Sequence, residues 1–100
     1  METLIKLEIK DNAFARQFET LVPQGMVTVE YSFQEKKIFL TKIAVPDGFD
    51  NEEFIVDFLK NIMEIAYERK LKVVPIMPKI AQFIKKNPTY KDLLPPGIKI

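Results

Sequence analysis

The chain has no cysteine and no histidine. Without cysteine there is no disulfide framework, no thiolate nucleophile and no zinc–thiolate site. Without histidine the usual general base at neutral pH and the commonest metal ligand are gone. No loop has the spacing of an oxygen-only calcium site either, so no metal is expected. A dominant charge is also missing. Fifteen basic and fourteen acidic residues leave a net charge of +1, which implies neither nucleic acid nor an anionic membrane as a partner. No apolar run approaches membrane-spanning length, and Met1-Glu2-Thr3-Leu4-Ile5-Lys6 lacks the apolar stretch of a signal peptide. The expectation is a soluble cytoplasmic protein.

What is present is a core-forming pattern. Apolar residues make up 47% of 100 residues, enough for one core and too few for two. Leu4 to Ile9 alternates, with Ile5, Leu7 and Ile9 on one face, and predicts a half-buried strand. Lys10-Asp11-Asn12-Ala13 reads as a turn. A second strand is expected from Phe14 to Val22, with Phe14, Phe18 and Val22 on one face. After Pro23-Gln24-Gly25, Met26 to Phe33 alternates again, Val27, Val29, Tyr31 and Phe33 against Thr28, Glu30 and Ser32. Gln34-Glu35-Lys36-Lys37 is a polar hairpin loop, and Ile38 to Val45 the next strand. Short turns between successive strands imply an antiparallel meander.

The centre of the pattern is the junction Val45-Pro46-Asp47-Gly48-Phe49-Asp50-Asn51-Glu52-Glu53-Phe54. Asp50 as N-cap and Glu53 as its capping-box partner open a helix running from Asp50 to Lys70. Phe54, Ile55, Phe58, Leu59, Ile62, Ile65 and Ala66 fall on one apolar arc, with Asp57, Lys60, Asn61, Glu64 and Glu68 opposite. Leu71 to Pro75 follows as a buried strand, completing a βαβ unit whose two strands run parallel. Pro78 suits the first turn of a short helix carrying Ile80, Ala81, Phe83 and Ile84 and closing at Lys85-Lys86-Asn87. Tyr90 to Leu94 allows one more helical turn. The expected fold is α+β: one domain over residues 1–94, a twisted and mostly antiparallel sheet with one parallel pair around a long central helix, and a tail over 95–100.

Several segments together resemble a known pattern: Arg16-x-Phe18-Glu19, Tyr31, Val45-Pro46, the long helix, Lys72-Val73-Val74-Pro75-Ile76-Met77-Pro78, and Asn87-Pro88-x-Tyr90-x-Asp92-Leu93. The chain resembles the small single-domain branch of the GNAT (N-acetyltransferase) superfamily, from about Phe14 to Leu94. The resemblance implies a GNAT fold, acetyl-CoA bound at the strand–loop–helix junction, and acetyl transfer to an amine. The cofactor-binding positions it implies are Val45, Asp50, Asn51, Glu52, Glu53 and Phe54.

Departures from the family pattern fall on those positions. The family loop carries a basic residue and then Gly-x-Gly, through which backbone amides reach the CoA pyrophosphate; Asp50, Asn51, Glu52 and Glu53 stand there. Loss of the glycines hinders close backbone approach. A carboxylate about 5 Å from a phosphate costs about 1–3 kcal/mol at an effective dielectric between that of water and about 20, and the helix dipole returns only about 0.3–1 kcal/mol. The family's His-Thr-Glu falls on Lys42, Ile43 and Ala44, its cysteine on Met77, and its late histidine on Asn87. None of these supplies an acyl nucleophile or a tuned base, so no catalytic residue is expected.

Each position also has a plainer use. Residues 50–53 make a solvated helix start, Met77 a core filler, Glu30 and Tyr31 an ordinary sheet face, and Tyr67 and Tyr90 amphipathic packing. Lys79, Lys85, Lys86 and Lys91 make a solvated basic face. Two functions stay open. One is a GNAT-fold protein without CoA-dependent catalysis and without a cofactor, which binds an unidentified small molecule or protein. The other is a working N-acetyltransferase that uses acetyl-CoA through an atypical loop.

Overall fold

A computed structural model describes residues 5–98. Leu4, at the start of the expected leading strand, and residues 99 and 100 of the expected tail lie outside the described residues. Five strands form one sheet in sequence order: β1 (Lys10–Asn12), β2 (Gln17–Val22), β3 (Gly25–Gln34), β4 (Lys37–Ala44) and β5 (Lys72–Pro75). The first four pair antiparallel as a meander. β4 and β5 pair parallel, Lys37 opposite Lys72 and Leu40 opposite Pro75. Between them runs helix α1 (Glu52–Glu68), and after β5 come helix α2 (Pro78–Lys86) and a 3-10 turn (Pro88–Leu93). The fold is therefore mixed α+β with one parallel pair, as the sequence pattern implies.

Alternation decides which strand residues enter the core. Phe18, Val27, Val29, Tyr31, Ile38, Leu40 and Val73 are buried on one sheet face. Ile55, Phe58, Leu59, Ile62, Met63 and Ala66 of α1 meet them, joined by Ile80, Phe83 and Ile84 of α2 and by Tyr90 and Leu93. Each large side chain fully removed from water contributes about 1.5–3 kcal/mol before the entropy of ordering it is subtracted. A bulge between Glu30 and Tyr31 lets Thr41 slip out of register, its hydroxyl donating to the Glu30 carbonyl at 3.3 Å.

Two expectations at the start of the chain are overturned. Residues 5–9 form no strand, and the first strand is Lys10–Asn12, inside the stretch expected to turn. The reason is that residues 5–9 find side-chain partners. Asn61 Oδ1 accepts from the Leu7 N–H at 3.1 Å, Asn61 Nδ2 donates to the Ile5 carbonyl at 2.7 Å, and the Thr20 hydroxyl donates to the Glu8 carbonyl at 2.9 Å. The second strand starts at Gln17, so Phe14 sits in the turn and is fully exposed at 100%. Asn61, expected on the polar side of α1, is buried. Its amide also donates to the Asp57 carbonyl at 2.7 Å, so every polar atom of the side chain is matched.

Phe58→Ala and Ile62→Ala, both at 0% exposure, should each lower stability by about 2–5 kcal/mol in chemical denaturation; a loss under about 0.5 kcal/mol would place them outside the core. Asn61→Ala should cost about 1–3 kcal/mol, because it strips partners from the backbone of Ile5 and Leu7. Amide exchange at Leu7 should accelerate more than exchange in β3.

Candidate functional site

The junction is built by the end of β4, a tight turn and the start of α1. Val45 emerges from the sheet 46% exposed. Pro46 to Phe49 close a turn through the Phe49 N–H and the Pro46 carbonyl at 3.1 Å. Gly48 takes φ +80 at the third position, a conformation that favours glycine. Phe49 then packs edge-on against Phe54, centroids 5.6 Å apart, which fixes the angle at which the chain enters the helix.

The cap differs from expectation. Asn51, in extended conformation, is the N-cap, and its Oδ1 accepts from the Phe54 N–H at 3.1 Å. Asp50 lies one residue too early to reach that amide. The residue three past the cap is Phe54, so no capping box forms with Glu53. Asp50, Asn51, Glu52 and Glu53 are all exposed. Glu52 Oε1 receives Lys79 Nζ at 2.9 Å, which joins the first turn of α1 to the first turn of α2. Sequence reasoning had put Lys79 on a separate basic face; the link depends on how β5 delivers α2, which no local signal reveals.

Beside the junction the sheet opens. β5 stops at Pro75, and the amides of Ile76 and Met77 both turn to the Leu40 carbonyl, at 3.1 and 3.3 Å. Past Leu40, β4 has no ladder to β5. Met77 Sδ fills that gap and accepts from the Ile43 N–H at 3.2 Å. Lys42 is exposed, 4.0 Å from Glu30. Asn87 Nδ2 donates back to the Phe83 carbonyl at 2.8 Å, ending α2. Tyr90 is buried and stacks on Phe83 at 5.7 Å, and Tyr67 is exposed on α1.

Tyr31 turns into the core. Its hydroxyl donates to Asp11 Oδ1, and Arg69 Nη1 donates to Asp11 Oδ2 at 2.7 Å. Burial, with the Asp11 carboxylate beside it, pushes the phenol up to about 12. Asp11, read as a turn residue, thus pins β1 to β3 and to the end of α1. A phenol so held is a poor proton donor.

A family model for GCN5-related N-acetyl-transferases matches residues 17–93, from the start of β2 to the end of the 3-10 turn. The chain belongs to the GCN5-related N-acetyltransferase family. The solution structure of a GCN5-like protein from Staphylococcus aureus shares the GCN5-related fold: the TM-score is 0.70 at 21% identity, over 93% of this chain and 91% of that one. No curated protein sequence matches. Among the described residues no helix is long and apolar enough to cross a membrane, and no group of three or more acidic side chains is placed to hold a metal ion.

The raised phenol gives a sign for alkaline stability. A tyrosine whose folded value exceeds its unfolded value of 10 stabilises fully below that value and loses its contribution as pH rises to about 12. Spectrophotometric titration should show one of the three tyrosines ionising near the top of that window, and Tyr31→Phe should remove that step. The stability difference between wild type and Tyr31→Phe should shrink from pH 10 to pH 12. A difference that stays flat would mean Tyr31 titrates like an exposed phenol.

Proposed function

We propose that this GCN5-related domain has lost acetyl-CoA-dependent catalysis and works in the cytoplasm by binding a small molecule or a protein. The observation that carries the reading is the occupancy of the junction by the chain's own groups. Three carboxylates, Asp50, Glu52 and Glu53, surround the helix start where the family's pyrophosphate would lie. Asn51 Oδ1 already holds the Phe54 amide, and Met77 Sδ already holds the Ile43 amide. Lys79 offsets Glu52 alone, and both ends of that pair are exposed, 45% and 71%, where an ion pair is worth about 0–1 kcal/mol. These residues do not fit an anionic pyrophosphate. Lys42, next to Ile43 in β4, and Asn87, at the far end of α2, supply no general base.

The alternative, a working acyltransferase, draws on family membership alone, and a fold hosts more than one function. Isothermal titration separates the two. Wild type should bind acetyl-CoA weakly or not at all. The variant Asp50→Arg/Asn51→Gly/Glu53→Gly removes two carboxylates and the capping side chain, and should lose about 1 kcal/mol of stability, mostly from the glycine placed in the first turn of the helix. It should nevertheless gain at least about tenfold in CoA affinity, equivalent to about 1.4 kcal/mol, with acetyl transfer to amines still at background. Micromolar binding by wild type would overturn the reading.

A further inference from the structure

Residues 5–9 alternate as a strand would, with Ile5, Leu7 and Ile9 on one face, yet they form none. The register of β1 fixes where that strand would lie. Lys10, Asp11 and Asn12 stand opposite Glu19, Phe18 and Gln17. The same ladder continued would set Ile9 opposite Thr20, Glu8 opposite Leu21 and Leu7 opposite Val22. Instead the two segments part after the Lys10–Glu19 pair. The space between them is a cavity of about 680 Å³, with residues 7–10 on one side, residues 19–21 on the other, and Met26 and Phe54 completing the wall. The cavity occupies the place of the missing ladder.

Both sides of the gap are set for pairing. The Tyr31 N–H donates to the Arg16 carbonyl at 3.0 Å, and backbone groups alternate in direction along a strand. Phe18, Thr20 and Val22 therefore also turn their N–H and C=O groups to β3, while Gln17, Glu19 and Leu21 turn theirs to the β1 side. At Leu21 the β1 ladder has already ended, so its N–H and C=O face the gap and no described strand pairs with them. Across the gap three side-chain hydrogen bonds hold residues 5–9. Asn61 accepts from the Leu7 N–H at 3.1 Å and donates to the Ile5 carbonyl at 2.7 Å. The Thr20 hydroxyl donates at 2.9 Å to the Glu8 carbonyl, the acceptor that the Leu21 N–H would meet in a continued ladder. Little else separates the two arrangements. Leu7 and Ile9 already pack against the core. In a continued ladder they stay on the core face, in alternation with Asp11, whose carboxylate meets Tyr31 and Arg69 there.

We propose that residues 5–9 are a strap with two anchorages: the observed one on Asn61 and Thr20, and a closed one in which Leu7, Glu8 and Ile9 pair with Val22, Leu21 and Thr20 and fill the cavity. Closure exchanges the three side-chain hydrogen bonds for two backbone bonds between Glu8 and Leu21, and it opens the Asn61 amide to water. The observed anchorage is thus favoured by about one hydrogen bond, which leaves the closed one within thermal reach. The cavity exists only while the strap sits on Asn61. An occupant holds the strap there, and closure expels the occupant. The switch lies outside the junction and stands whether or not the domain binds CoA.

Amide hydrogen exchange, followed residue by residue in the labelled protein, separates the two anchorages because they protect different amides. The Leu7 N–H is bonded in the observed arrangement and points away from β2 in the closed one. The amides of Glu8 and Leu21 are bonded only in the closed one. Asn61→Ala removes the first anchorage. Leu7 should then exchange at least about tenfold faster than in wild type, while Glu8 and Leu21 exchange at least about tenfold more slowly. A close Hα–Hα contact should appear between Leu7 and Val22, which would face each other as a non-hydrogen-bonded pair. A strap that only lets go would speed Leu7 and leave Glu8 and Leu21 unchanged or faster, and that result overturns the proposal. Thr20→Val decides the question if Asn61→Ala fails to fold. It frees the Glu8 carbonyl while keeping a β-branched side chain suited to a strand, and it should slow exchange at Leu21 by about threefold or more. Unchanged or faster exchange at Leu21 in a folded Thr20→Val also overturns the closed anchorage.

Discussion

The structure depends on a parallel pairing only four residues long, Lys37 to Leu40 against Lys72 to Pro75. Parallel strands need a crossover, and α1 is that crossover. The helix lies over the paired stretch, where Ile38, Leu40 and Val73 are buried beneath Phe58 and Ile62. Shortness is imposed chemically. Pro75 has no N–H to extend the ladder, and the next two amides converge on a single carbonyl, that of Leu40. The second half of β4 therefore keeps β3 on one side and loses β5 on the other. A backbone amide left open in a half-buried gap carries a desolvation cost of about 1–3 kcal/mol. Met77 Sδ meets the one at Ile43, a weak acceptor filling a place where a ligand's oxygen would be a stronger one.

How much of this could be read in the sequence depended on whether the signal was local. The apolar arc of α1, the alternation in Gly25–Gln34 and the proline-bounded β5 are periodic over whole elements, and their positions follow from that period. Phe14 misled because the strand pattern could be extended backwards through it, while the backbone has already turned at Arg16, with φ +57. Asn61 misled for the opposite reason. Its polarity fits the solvent side of a helix, but its partners, Ile5 and Leu7, lie more than fifty residues away. Only tertiary packing could show that the amide replaces a strand ladder. The helix cap missed by a single residue: Asp50 and Asn51 are both good caps, and the turn at Gly48 together with the Phe49–Phe54 contact selects between them.

The junction itself was legible in its composition but not in its connections. Its acidity and lack of Gly-x-Gly are plain from residues 50–53, whereas the Lys79 contact and the sulfur at the Ile43 amide belong to the way α2 is delivered by β5. Glu19 shows the same limit. In the sequence it stands within Arg16-x-Phe18-Glu19, with no local sign that Asn12 and Gln17 hold its carboxylate. That arrangement needs the ladder between β1 and β2, which sequence reasoning had placed elsewhere.

A domain can keep a family's backbone while its site changes because the two draw on different residues. The groups that stabilise the fold are the buried ones: Phe18, Val29, Leu40, Phe58, Ile62 and Ile84 are among those at 0% exposure. Asp50, Glu52 and Glu53 are exposed, and the Asn51 cap at this corner favours folding by about 1 kcal/mol. Exchanging a glycine-rich loop for a capped acidic one is therefore neutral or mildly favourable for folding, although it is adverse for an anion. Phe54 is where the two economies touch. It closes the helix start against Phe49, gives its amide to Asn51, and lines the cavity beside residues 7–10. The same cap that occupies a backbone donor at the junction thereby fixes the start of the helix that covers the core.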